Sequence, residues 1–355
     1  MRLGHIGLFL APHLEAQAVN DLSRFIDVPA FCVISASDEN PCQSSEGTKV
    51  PDIAYVQHTS GTSSGFPKPI SQTQWGAVGC LPVFVDVDPP ATFTTTPFYH
   101  GGVADALRAW ASGAGIWFFP EDRLPITCVN ICRALTFSQE KTKQVSIQYF
   151  SCVPYVLELL VESEDSKGIE VLRSLTLVGV GGAPLQSSTE KKLVSFGVKL
   201  LSRMGSAECG FLMSSARQFD TDDGWEYFRP TEDSTKLHFE ARGEGLSELL
   251  VKSGWPLRLK MNREDGSYAT ADLFEQHPTI PSAWRYRGRL DGLITLANGK
   301  KFDRSPLEDD LRASCDVLQD VLICGTGRHY PGALLFAVRK TASDEEVLDR
   351  IRPHL

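Results

Sequence analysis

Short apolar runs and stretches of helical spacing alternate along the first two hundred residues of this chain. Apolar runs bounded by turn residues predict strands, and apolar residues spaced three or four apart predict helices. The predicted strands cover 52–58, 115–119, 175–180 and 198–203. The predicted helices cover 14–25, 72–81, 105–112, 126–137, 154–163 and 187–196. Such alternation favours a largely parallel sheet with helices on both of its faces.

The pattern becomes richer in strands from about residue 248 onward. Ser305 and Glu308 form a capping box with Pro306 at the first helical position, which predicts a helix through Ala313. A second helix is predicted to begin at Ser343. The predicted strands are 249–252, 257–261, 320–324 and 333–338. The predicted fold class is therefore α/β, with a large layered N-terminal domain (1–287) and a small α+β C-terminal part (288–355).

Composition is typical of a soluble globular protein and narrows the possible partners. Of 355 residues, 42% are hydrophobic and 22% are charged, and the formal net charge is -9. A broad nucleic-acid surface needs a basic stripe, which this acidic chain does not offer. No apolar run is long enough to span a bilayer. We therefore predict a cytoplasmic protein that acts without nucleic acid or membrane.

Nine cysteines, an odd number, are spread thinly along the sequence. The closest pair, Cys128 and Cys132, stands one helical turn apart. No second pair and no histidine cluster accompanies them to complete a zinc site. We interpret these two cysteines as packing residues of a protein in a reducing compartment.

The segment 59–68 carries the densest candidate chemistry in the chain. It combines serine and threonine hydroxyls with Gly61, Gly65 and Lys68. Backbone N–H groups beside glycine, hydroxyl donors and one ammonium group together suit an anion such as phosphate. A solvated serine- and glycine-rich turn has the same composition, so composition alone leaves both interpretations open.

Two other motifs fit this segment less well. A P-loop needs Gly-Lys-Ser/Thr at the start of a helix, and Lys68 stands between Pro67 and Pro69. Residues 61–65 match the Gly-x-Ser-x-Gly nucleophile elbow of serine hydrolases, whose turn runs directly into a helix. The two prolines disfavour that helix as well. A hydrolase with Ser63 as its nucleophile is therefore kept only as a remote alternative.

Residues 59–68 resemble the Thr-Ser-Gly-Thr-Thr-Gly-x-Pro-Lys phosphate loop of the adenylate-forming (AMP-binding) superfamily. Ser63-Ser64 stands where that family usually has one residue. The resemblance implies that Lys68 is catalytic and that the loop holds the phosphates of ATP. The loop residues that it assigns to ATP binding are Thr59, Ser60, Gly61, Thr62, Ser63, Ser64, Gly65 and Lys68.

The glycine turn after the predicted strand 175–180 resembles the Gly-Gly-Ala-Pro-Leu segment that contacts adenine in this family. The match assigns Gly182, Ala183 and Pro184 to the base. The same turn superficially matches a dinucleotide fingerprint, but Pro184 stands where the third glycine belongs. A tight strand-to-helix turn without a ligand is the alternative interpretation.

Residues 204–208 resemble the family's aromatic-Gly-x-Thr-Glu motif, whose glutamate binds Mg²⁺ on the ATP phosphates. Glu208 takes that role in the match, since Mg²⁺ prefers oxygen ligands and commonly uses one or two carboxylates beside phosphate. Met204 replaces the aromatic residue that stacks on adenine, and the match assigns it to ATP binding. Ala207 replaces the threonine that meets the phosphate.

The Tyr-x-Thr-Gly-Asp and Gly-Arg-x-Asp motifs of the family have counterparts that end at Asp272 and Asp291. Asp272 matches the carboxylate that accepts from both ribose hydroxyls, a role that suits its two oxygens. Ala271 stands where the family has glycine. The match assigns Arg289 to the ribose or phosphate, and Asp291 to the hinge on which the small C-terminal domain turns.

Residues 98–102, Phe-Tyr-His-Gly-Gly, resemble the family's segment beside the acyl pocket. The match assigns His100, Gly101 and Gly181 to the substrate pocket. Members that activate amino acids commonly carry an aspartate just after the aromatic residue, and Gly101 follows His100 here. The match therefore favours an aryl or other carboxylic acid over an α-amino acid.

Segments near the end of the chain resemble the adenylation domains of fungal NRPS-like synthetases and reductases. These segments are 296–302, 305–308, 324–328 and 331–332. The resemblance implies a family domain that is truncated at both ends. The late Pro-Lys-x-x-x-Gly-Lys motif, whose lysine bridges the carboxylate and the ATP phosphate, has no match, since the last lysine is Lys340.

The resemblance implies ATP-dependent activation of a small carboxylic acid as its acyl-adenylate, with Mg²⁺, in a secondary-metabolite setting. The acyl acceptor it implies is a thiol supplied in trans, such as the phosphopantetheine of a carrier protein. The degenerate positions and the unmatched lysine motif leave a second hypothesis open, a non-catalytic nucleotide-binding or interaction protein.

Overall fold

The computed structural model describes residues 7–8, 52–58, 69–82, 89–141, 146–163, 166–222, 224–230, 234–296, 301–315, 317–325, 327–338 and 344–352. The chain divides into two compact units. Unit 1 comprises Met1–Lys236 and Val251–Tyr268, and unit 2 comprises Leu237–Leu250 and Ala269–Leu355. The predicted helix at 14–25 and the loop 59–68 lie outside the described residues.

A small sheet of unit 1 contains the strands on either side of the loop 59–68. Its strands are β1 (Gly7–Leu8), β2 (Ile53–His58) and β3 (Pro69–Thr73), in that order. β1 runs parallel to β2, and β2 runs antiparallel to β3, with His58 opposite Pro69. The two residues that flank the loop are therefore neighbours in the ladder. Helix α1 (Gln74–Gly79) follows directly, and the Thr73 hydroxyl caps it by accepting from the Gly76 N–H at 3.0 Å.

The main sheet of unit 1 contains the predicted strands at 115–119, 175–180 and 198–203, together with strands that the sequence analysis does not predict. Its described strands are β4 (Ala91–Thr94), β5 (Ile116–Phe118), β6 (Ile147–Cys152), β7 (Leu177–Gly181), β8 (Leu200–Ser206), β9 (Gly210–Ser214) and β10 (Tyr227–Pro230). Their spatial order is β10–β9–β8–β7–β6–β4–β5. β5, β4, β6, β7 and β8 are parallel neighbours, whereas β9 and β10 extend the sheet antiparallel.

Helices connect the parallel strands and share one apolar core with them. They are α2 (Val103–Ala111), α3 (Cys128–Lys141), α4 (Pro154–Val161), α5 (Lys167–Arg173) and α6 (Ser187–Ser195). Phe93 and Val178 from the strands pack in this core with Ile131 and Leu157 from the helices. Pro154 opens α4, where its missing N–H interrupts no helical bond. Across the described ranges, we find no helix with the length and apolar character needed to cross a membrane.

The predicted strand at 257–261 is wrong. These residues form no regular secondary structure. Leu257 is 4% exposed, whereas Leu259 and Met261 are 39% and 67% exposed, so the three alternate apolar residues do not share one buried face as they would in a strand. The Leu259 N–H donates to the Glu208 carbonyl oxygen at 3.1 Å and not to a ladder. The segment is therefore anchored by Leu257 and by this hydrogen bond, and not by sheet pairing.

Unit 2 combines strands with two helices. Its first sheet has the order β11 (Leu237–Gly243), β12 (Leu246–Val251), β13 (Tyr268–Gln276) and β14 (Trp284–Arg289). Two antiparallel pairs follow, β15 (Leu293–Thr295) with β16 (Lys301–Asp303), and β17 (Leu318–Cys324) with β18 (Gly332–Ala337). The helices are α7 (Arg304–Ser314) and α8 (Asp344–Ile351), and Leu311 and Ile351 pack with Ile294 and Val321. The predicted α+β character of this part is confirmed.

Candidate functional site

The carboxyl ends of β6, β7 and β8 lie at one edge of the main sheet, because the three strands are parallel neighbours. Open α/β sheets bind ligands at this edge, where the loops that leave the strands form a crevice. The turn after β7 and the turn after β8 both carry residues that the sequence assigns to the nucleotide. The fold of unit 1 therefore brings these two motifs to the same edge.

The glycine turn after β7 presents its residues to the surface. Gly182 has φ +94°, a left-handed conformation that favours glycine. Ala183 and Pro184 are exposed, and Leu185, which is 7% exposed, anchors the end of the turn in the core. Gly181 lies opposite Arg203 of β8 in the strand register. The three residues that the sequence assigns to adenine are thus exposed.

Glu208 lies in the tight turn that joins the antiparallel strands β8 and β9. The Ser206 hydroxyl accepts a hydrogen bond from the Cys209 N–H at 3.1 Å and closes this turn. Met204 stands earlier on β8, half-buried and opposite Met213. Met204 and Glu208 therefore follow one another along the carboxyl end of a parallel strand.

Three hydrogen bonds from outside hold the backbone of the Glu208 turn. Gln72 Nε2, on β3, donates to the Ala207 carbonyl at 2.9 Å. The Trp255 indole N–H donates to the Cys209 carbonyl at 2.8 Å, and the Leu259 N–H donates to the Glu208 carbonyl at 3.1 Å. Gln72 is 1% exposed and lies on the strand that leaves the loop 59–68. This strand and the Glu208 turn are thereby joined across 135 residues of sequence.

The Glu208 carboxylate carries a negative charge beside a cation. Lys260 Nζ lies 2.6 Å from Glu208 Oε1. Partial burial of Glu208 opposes ionisation, but hydrogen bonds from Lys260, the backbone and Ser206, together with the Lys260 charge, outweigh it. The pKa of Glu208 is therefore lowered from its ordinary value. An ionised, fixed carboxylate at a sheet edge can hold a divalent cation.

Sequence reasoning missed a buried ionic cluster beneath this edge. Arg203 Nη1 lies 2.7 Å from Asp105 Oδ1, and Arg203 Nη2 donates to the Ser151 hydroxyl at 2.7 Å. Asp105 Oδ2 accepts from Ser151 at 2.5 Å and from Thr94 at 3.1 Å. Asp105 is 3% exposed. The cluster joins α2 to the ends of β4, β6 and β8. The charged residue types alone do not predict this pairing.

The predicted acyl-pocket segment, Phe98–Gly102, forms a short π-helix between β4 and α2. The Gly102 N–H donates to the Pro97 carbonyl at 3.0 Å, and a side chain at Gly102 would collide with the Thr96 carbonyl. π-Helical turns are rare and occur often at functional sites. The backbone of His100 and Gly101 lies in this turn, at the carboxyl end of β4.

Unit 2 contains the two residues that the sequence assigns to the ribose. Asp272 and Arg289 are direct register partners on the antiparallel strands β13 and β14. Arg289 Nη1 lies 3.3 Å from Asp272 Oδ1, and the side chains are 48% and 14% exposed for Arg289 and Asp272. As a carboxylate, Asp272 carries two acceptor oxygens. Asp291 follows in the 3-10 turn Leu290–Gly292, between β14 and β15.

The predicted site residues fall into three groups. Gly181, Gly182, Ala183, Pro184, Met204 and Glu208 lie in unit 1 at the carboxyl edge, with His100 and Gly101 at the end of β4. Asp272, Arg289 and Asp291 lie in unit 2. Thr59, Ser60, Gly61, Thr62, Ser63, Ser64, Gly65 and Lys68 lie outside the described residues.

The described residues contain no group of three or more His, Cys, Asp or Glu side chains that is arranged to hold a metal ion. Cys128 and Cys132 pack against the main core, as predicted. Glu208 is the carboxylate that the sequence assigns to a metal ion. That arrangement suits Mg²⁺, which keeps waters and binds substrate phosphates beside one or two carboxylates.

Comparisons with known proteins identify the family of this chain. The sequence model of the AMP-binding enzyme family matches residues 11–231, and that of the AMP-binding enzyme C-terminal domain matches residues 291–355. The adenylate-forming reductase Nps10 of Heterobasidion annosum is 33% identical over 316 residues, which cover 84% of this chain and 28% of the reductase. Nps11 of Serpula lacrymans var. lacrymans is 28% identical over 303 residues, which cover 80% and 26%. The chain thus spans about a quarter of the length of these relatives.

Solved structures share the fold at low sequence identity. O-succinylbenzoate coenzyme A synthetase (MenE) from Bacillus subtilis, in complex with AMP, superposes with a TM-score of 0.61 at 17% identity, over 85% of this chain and 63% of the synthetase. The amide bond synthetase McbA from Marinactinospora thermotolerans gives a TM-score of 0.58 at 16% identity, over 91% and 66%. The predicted α/β fold with a large adenylation domain and a small C-terminal domain is confirmed.

Proposed function

The chain belongs to the AMP-binding enzyme family, and from this premise we propose that it activates a carboxylic acid as its acyl-adenylate. The observation that carries the proposal is the hydrogen bond from Gln72 Nε2 to the Ala207 carbonyl, at 2.9 Å. It joins the strand that leaves the loop 59–68 to the turn that holds Glu208. A phosphate loop and a metal-binding carboxylate must act on the same polyphosphate, so their mutual support fits one nucleotide site.

The roles proposed in unit 1 are those of the family motifs. Lys68 and the loop residues 59–65 would cradle the phosphates. Glu208 would hold Mg²⁺, and its fixed, ionised carboxylate already accommodates the Lys260 ammonium, so the site suits a cation. Bound Mg²⁺ would offset charge on the phosphate oxygens. Gly182, Ala183 and Pro184 would lie against adenine, and Met204 would pack on its face through a polarizable side chain.

The roles in unit 2 rest on the pair Asp272–Arg289. The Asp272 side chain is 14% exposed, and a carboxylate, with its two oxygens, is a natural acceptor for the two ribose hydroxyls. Arg289, which is 48% exposed, would reach the ribose or phosphate. Asp291 would be the pivot of the C-terminal part, because it lies in the short turn that follows the β13–β14 pair.

The acid would lie near His100, Gly101 and Gly181. Its carboxylate oxygen would attack the α-phosphorus of ATP, the new P–O bond would form, and the bond to pyrophosphate would break. Adenylation then depends on positioning the two reactants and on cations placed where charge develops. The absence of an aspartate directly after His100 favours an aryl or other non-α-amino acid.

The names of related proteins support a fungal NRPS-like setting. Besides the reductases, a non-canonical non-ribosomal peptide synthetase, ascB of Acremonium egyptiacum, is 28% identical over 270 residues. A thiol acceptor, such as a carrier-protein phosphopantetheine supplied in trans, would then take the acyl group. Secondary metabolism is the corresponding pathway class.

ATP–pyrophosphate exchange with a panel of aryl and aliphatic carboxylic acids tests the proposal. We expect exchange that depends on an added acid and that falls by about a hundredfold or more in Glu208→Gln, the cost of losing one electrostatic contact to the reacting phosphate. Glu170→Gln, an exposed glutamate on α5, is the matched control and retains exchange. Exchange that is insensitive to Glu208→Gln contradicts the assigned role.

A second candidate is a non-catalytic nucleotide-binding or interaction protein. Ala207 favours it, because this position lacks the hydroxyl that meets phosphate in the family, and its carbonyl is bonded to Gln72. Saturable ATP binding without acid-dependent exchange would support this candidate. Labelling of Ser63 by a fluorophosphonate probe would instead revive a serine hydrolase, and absence of labelling would eliminate it.

A further inference from the structure

Lys260 reaches Glu208 from a firmly anchored segment. Trp255 and Leu257 are 6% and 4% exposed, and the Trp255 indole N–H donates to the Cys209 carbonyl. Leu257 packs so closely on Gly76 and Gly210 that a Cβ at either glycine would lie within 3.0 Å of its side chain. The anchoring fixes the backbone just before Lys260.

The backbone of Lys260 is also tied to that of Glu208. The Leu259 N–H donates to the Glu208 carbonyl at 3.1 Å, and Lys260 Nζ lies 2.6 Å from Glu208 Oε1. A separation of this size is that of a charge-assisted hydrogen bond. One backbone contact and one side-chain contact join the same two segments. We therefore interpret the ion pair as part of the fold and not as a chance surface contact.

The two partners differ in their freedom to move. The Glu208 side chain is 17% exposed and lies in a turn with three external tethers, whereas the Lys260 side chain is 53% exposed. A half-exposed lysine has a flexible four-carbon stem and a strongly hydrated ammonium. Lys260 can therefore leave the pair for solvent, while Glu208 stays in place.

We propose that Lys260 is a positioning residue, the resident counter-cation that holds the Glu208 carboxylate until Mg²⁺ takes its place. The inference rests on the proposed function, because it takes Glu208 as the metal ligand. Without metal, the ammonium orients the carboxylate and offsets its repulsion of the triphosphate. With metal bound, that repulsion is offset by Mg²⁺, and Lys260 becomes dispensable for nucleotide binding.

The test compares ATP affinity with and without metal. Calorimetry gives the Kd for ATP in EDTA and in saturating Mg²⁺. The quantity of interest is the Kd in EDTA divided by the Kd in Mg²⁺. In Lys260→Met we expect binding in EDTA to weaken and binding in Mg²⁺ to change little. The ratio should rise about threefold or more, which matches the coupling of a partly exposed ion pair.

Four further variants make the result specific. Lys260→Arg keeps a cation and should retain the parent ratio. Lys252→Met removes an exposed lysine from the same segment and should also retain it. Glu208→Gln should bring the ratio toward one, and the double variant Glu208→Gln/Lys260→Met should match Glu208→Gln, because Lys260 acts through that carboxylate. Melting temperatures report any loss of folding separately.

Equal weakening of ATP binding by Lys260→Met in EDTA and in Mg²⁺ overturns the inference, since Lys260 then acts on the phosphates or on the fold. If Lys260→Met leaves both Kd values and their ratio unchanged, the inference is overturned as well. A ratio that still falls toward one in Glu208→Gln would then leave the proposed function intact. Failure of the proposed function is distinct, because ATP then binds to no variant or Glu208→Gln leaves the ratio unchanged, and this inference fails with it.

Discussion

The Ala271 N–H donates to Glu248 Oε1 at 2.9 Å, while Ala271 itself holds the left-handed backbone conformation with φ +65°. Glu248 is 3% exposed, and its second oxygen bonds the Arg242 guanidinium. The buried carboxylate thus fixes the backbone one residue before Asp272. The sequence family has glycine at this position, and the observed φ explains that preference physically.

We expect Ala271→Gly to stabilise the protein by about 0.5 kcal/mol. Removing the strain of a side chain in the left-handed backbone conformation gains about 1–2 kcal/mol. The added freedom of glycine in the unfolded chain removes part of that gain. Urea unfolding measures the difference. Ala241→Gly, at an exposed β11 position without positive φ, is the control and should destabilise by about 0.5–1 kcal/mol. Equal destabilisation by both changes contradicts the strain argument.

The ion pair Asp105–Arg203 supports a second prediction. Arg203→Met removes the guanidinium that pairs with Asp105, which is 3% exposed. We expect a loss of about 2–3 kcal/mol, below the range of about 3–5 kcal/mol for fully buried pairs, because Arg203 is 22% exposed and the charge of Arg108 also acts on Asp105. Asp105→Asn in the same chain should recover about 1 kcal/mol by removing the unpaired charge. Denaturant unfolding of the single and double variants measures this.

An exposed pair provides the control for that prediction. Arg312 and Asp309 are 51% and 55% exposed on α7, and Arg312→Met should change the unfolding free energy by less than about 0.5 kcal/mol. A double variant that is no more stable than Arg203→Met alone would show that lost packing, and not the stranded charge, causes the destabilisation.

The sequence predicts local structure here better than it predicts contacts. Apolar runs at 52–58, 175–180 and 198–203 became β2, β7 and β8, because strand burial leaves a period that can be read directly. The same reading failed at 257–261, where Leu257 is buried, Leu259 and Met261 are exposed, and the backbone joins no ladder. An alternating apolar pattern therefore does not by itself show that a segment is buried on one face or paired in a sheet.

The site could be predicted only where family motifs carry it. Glu208 and Asp272 are assigned from motif order. Glu208 lies in the turn after β8, whereas Asp272 lies within β13 and not at its end. Lys260 and Glu208 are 52 residues apart, and Arg203 and Asp105 are 98 apart. No local sequence pattern predicts such pairs, because only the tertiary fold brings the two residues together.

The tether between Gln72 and Ala207 supports a third prediction. Gln72 Oε1 is buried and has no hydrogen-bond partner in the described ranges, so Gln72→Met removes an unsatisfied acceptor together with the bond to Ala207. These effects largely cancel in stability, and we expect a change below about 1 kcal/mol. ATP binding should weaken about three- to tenfold, the value of one net hydrogen bond that orders the site.

Calorimetric ATP titration and urea unfolding together measure the Gln72→Met variant. Gln74→Met changes a neighbouring glutamine that is exposed on α1 and should leave ATP binding unchanged. Unaltered ATP affinity in Gln72→Met would mean that the loop strand and the Glu208 turn act independently, and would remove the main support for a shared nucleotide site.

Glu190, on α6, is a buried carboxyl group with an unusual acidity. It is 8% exposed, and burial raises its pKa to about 8, with the charge of Glu226 adding to the rise and a hydrogen bond from Ser202 opposing it. An unfolded glutamate titrates near its ordinary value, so the folded chain binds the proton more tightly than the unfolded chain. The stability that this proton contributes is complete below the unfolded pKa and is lost as pH rises through the folded value.

We therefore expect Glu190→Gln to gain stability over the parent chain as pH rises from 5 to 8. Glutamine resembles the protonated acid and keeps a neutral group in the buried site, whereas the parent loses up to about 1.4 kcal/mol per pH unit in this window. Urea unfolding at pH 5, 6.5 and 8 gives the difference at each pH. Glu170→Gln, exposed on α5, should show no such trend. Parallel pH profiles of Glu190→Gln and the parent would mean that Glu190 titrates at its ordinary pKa.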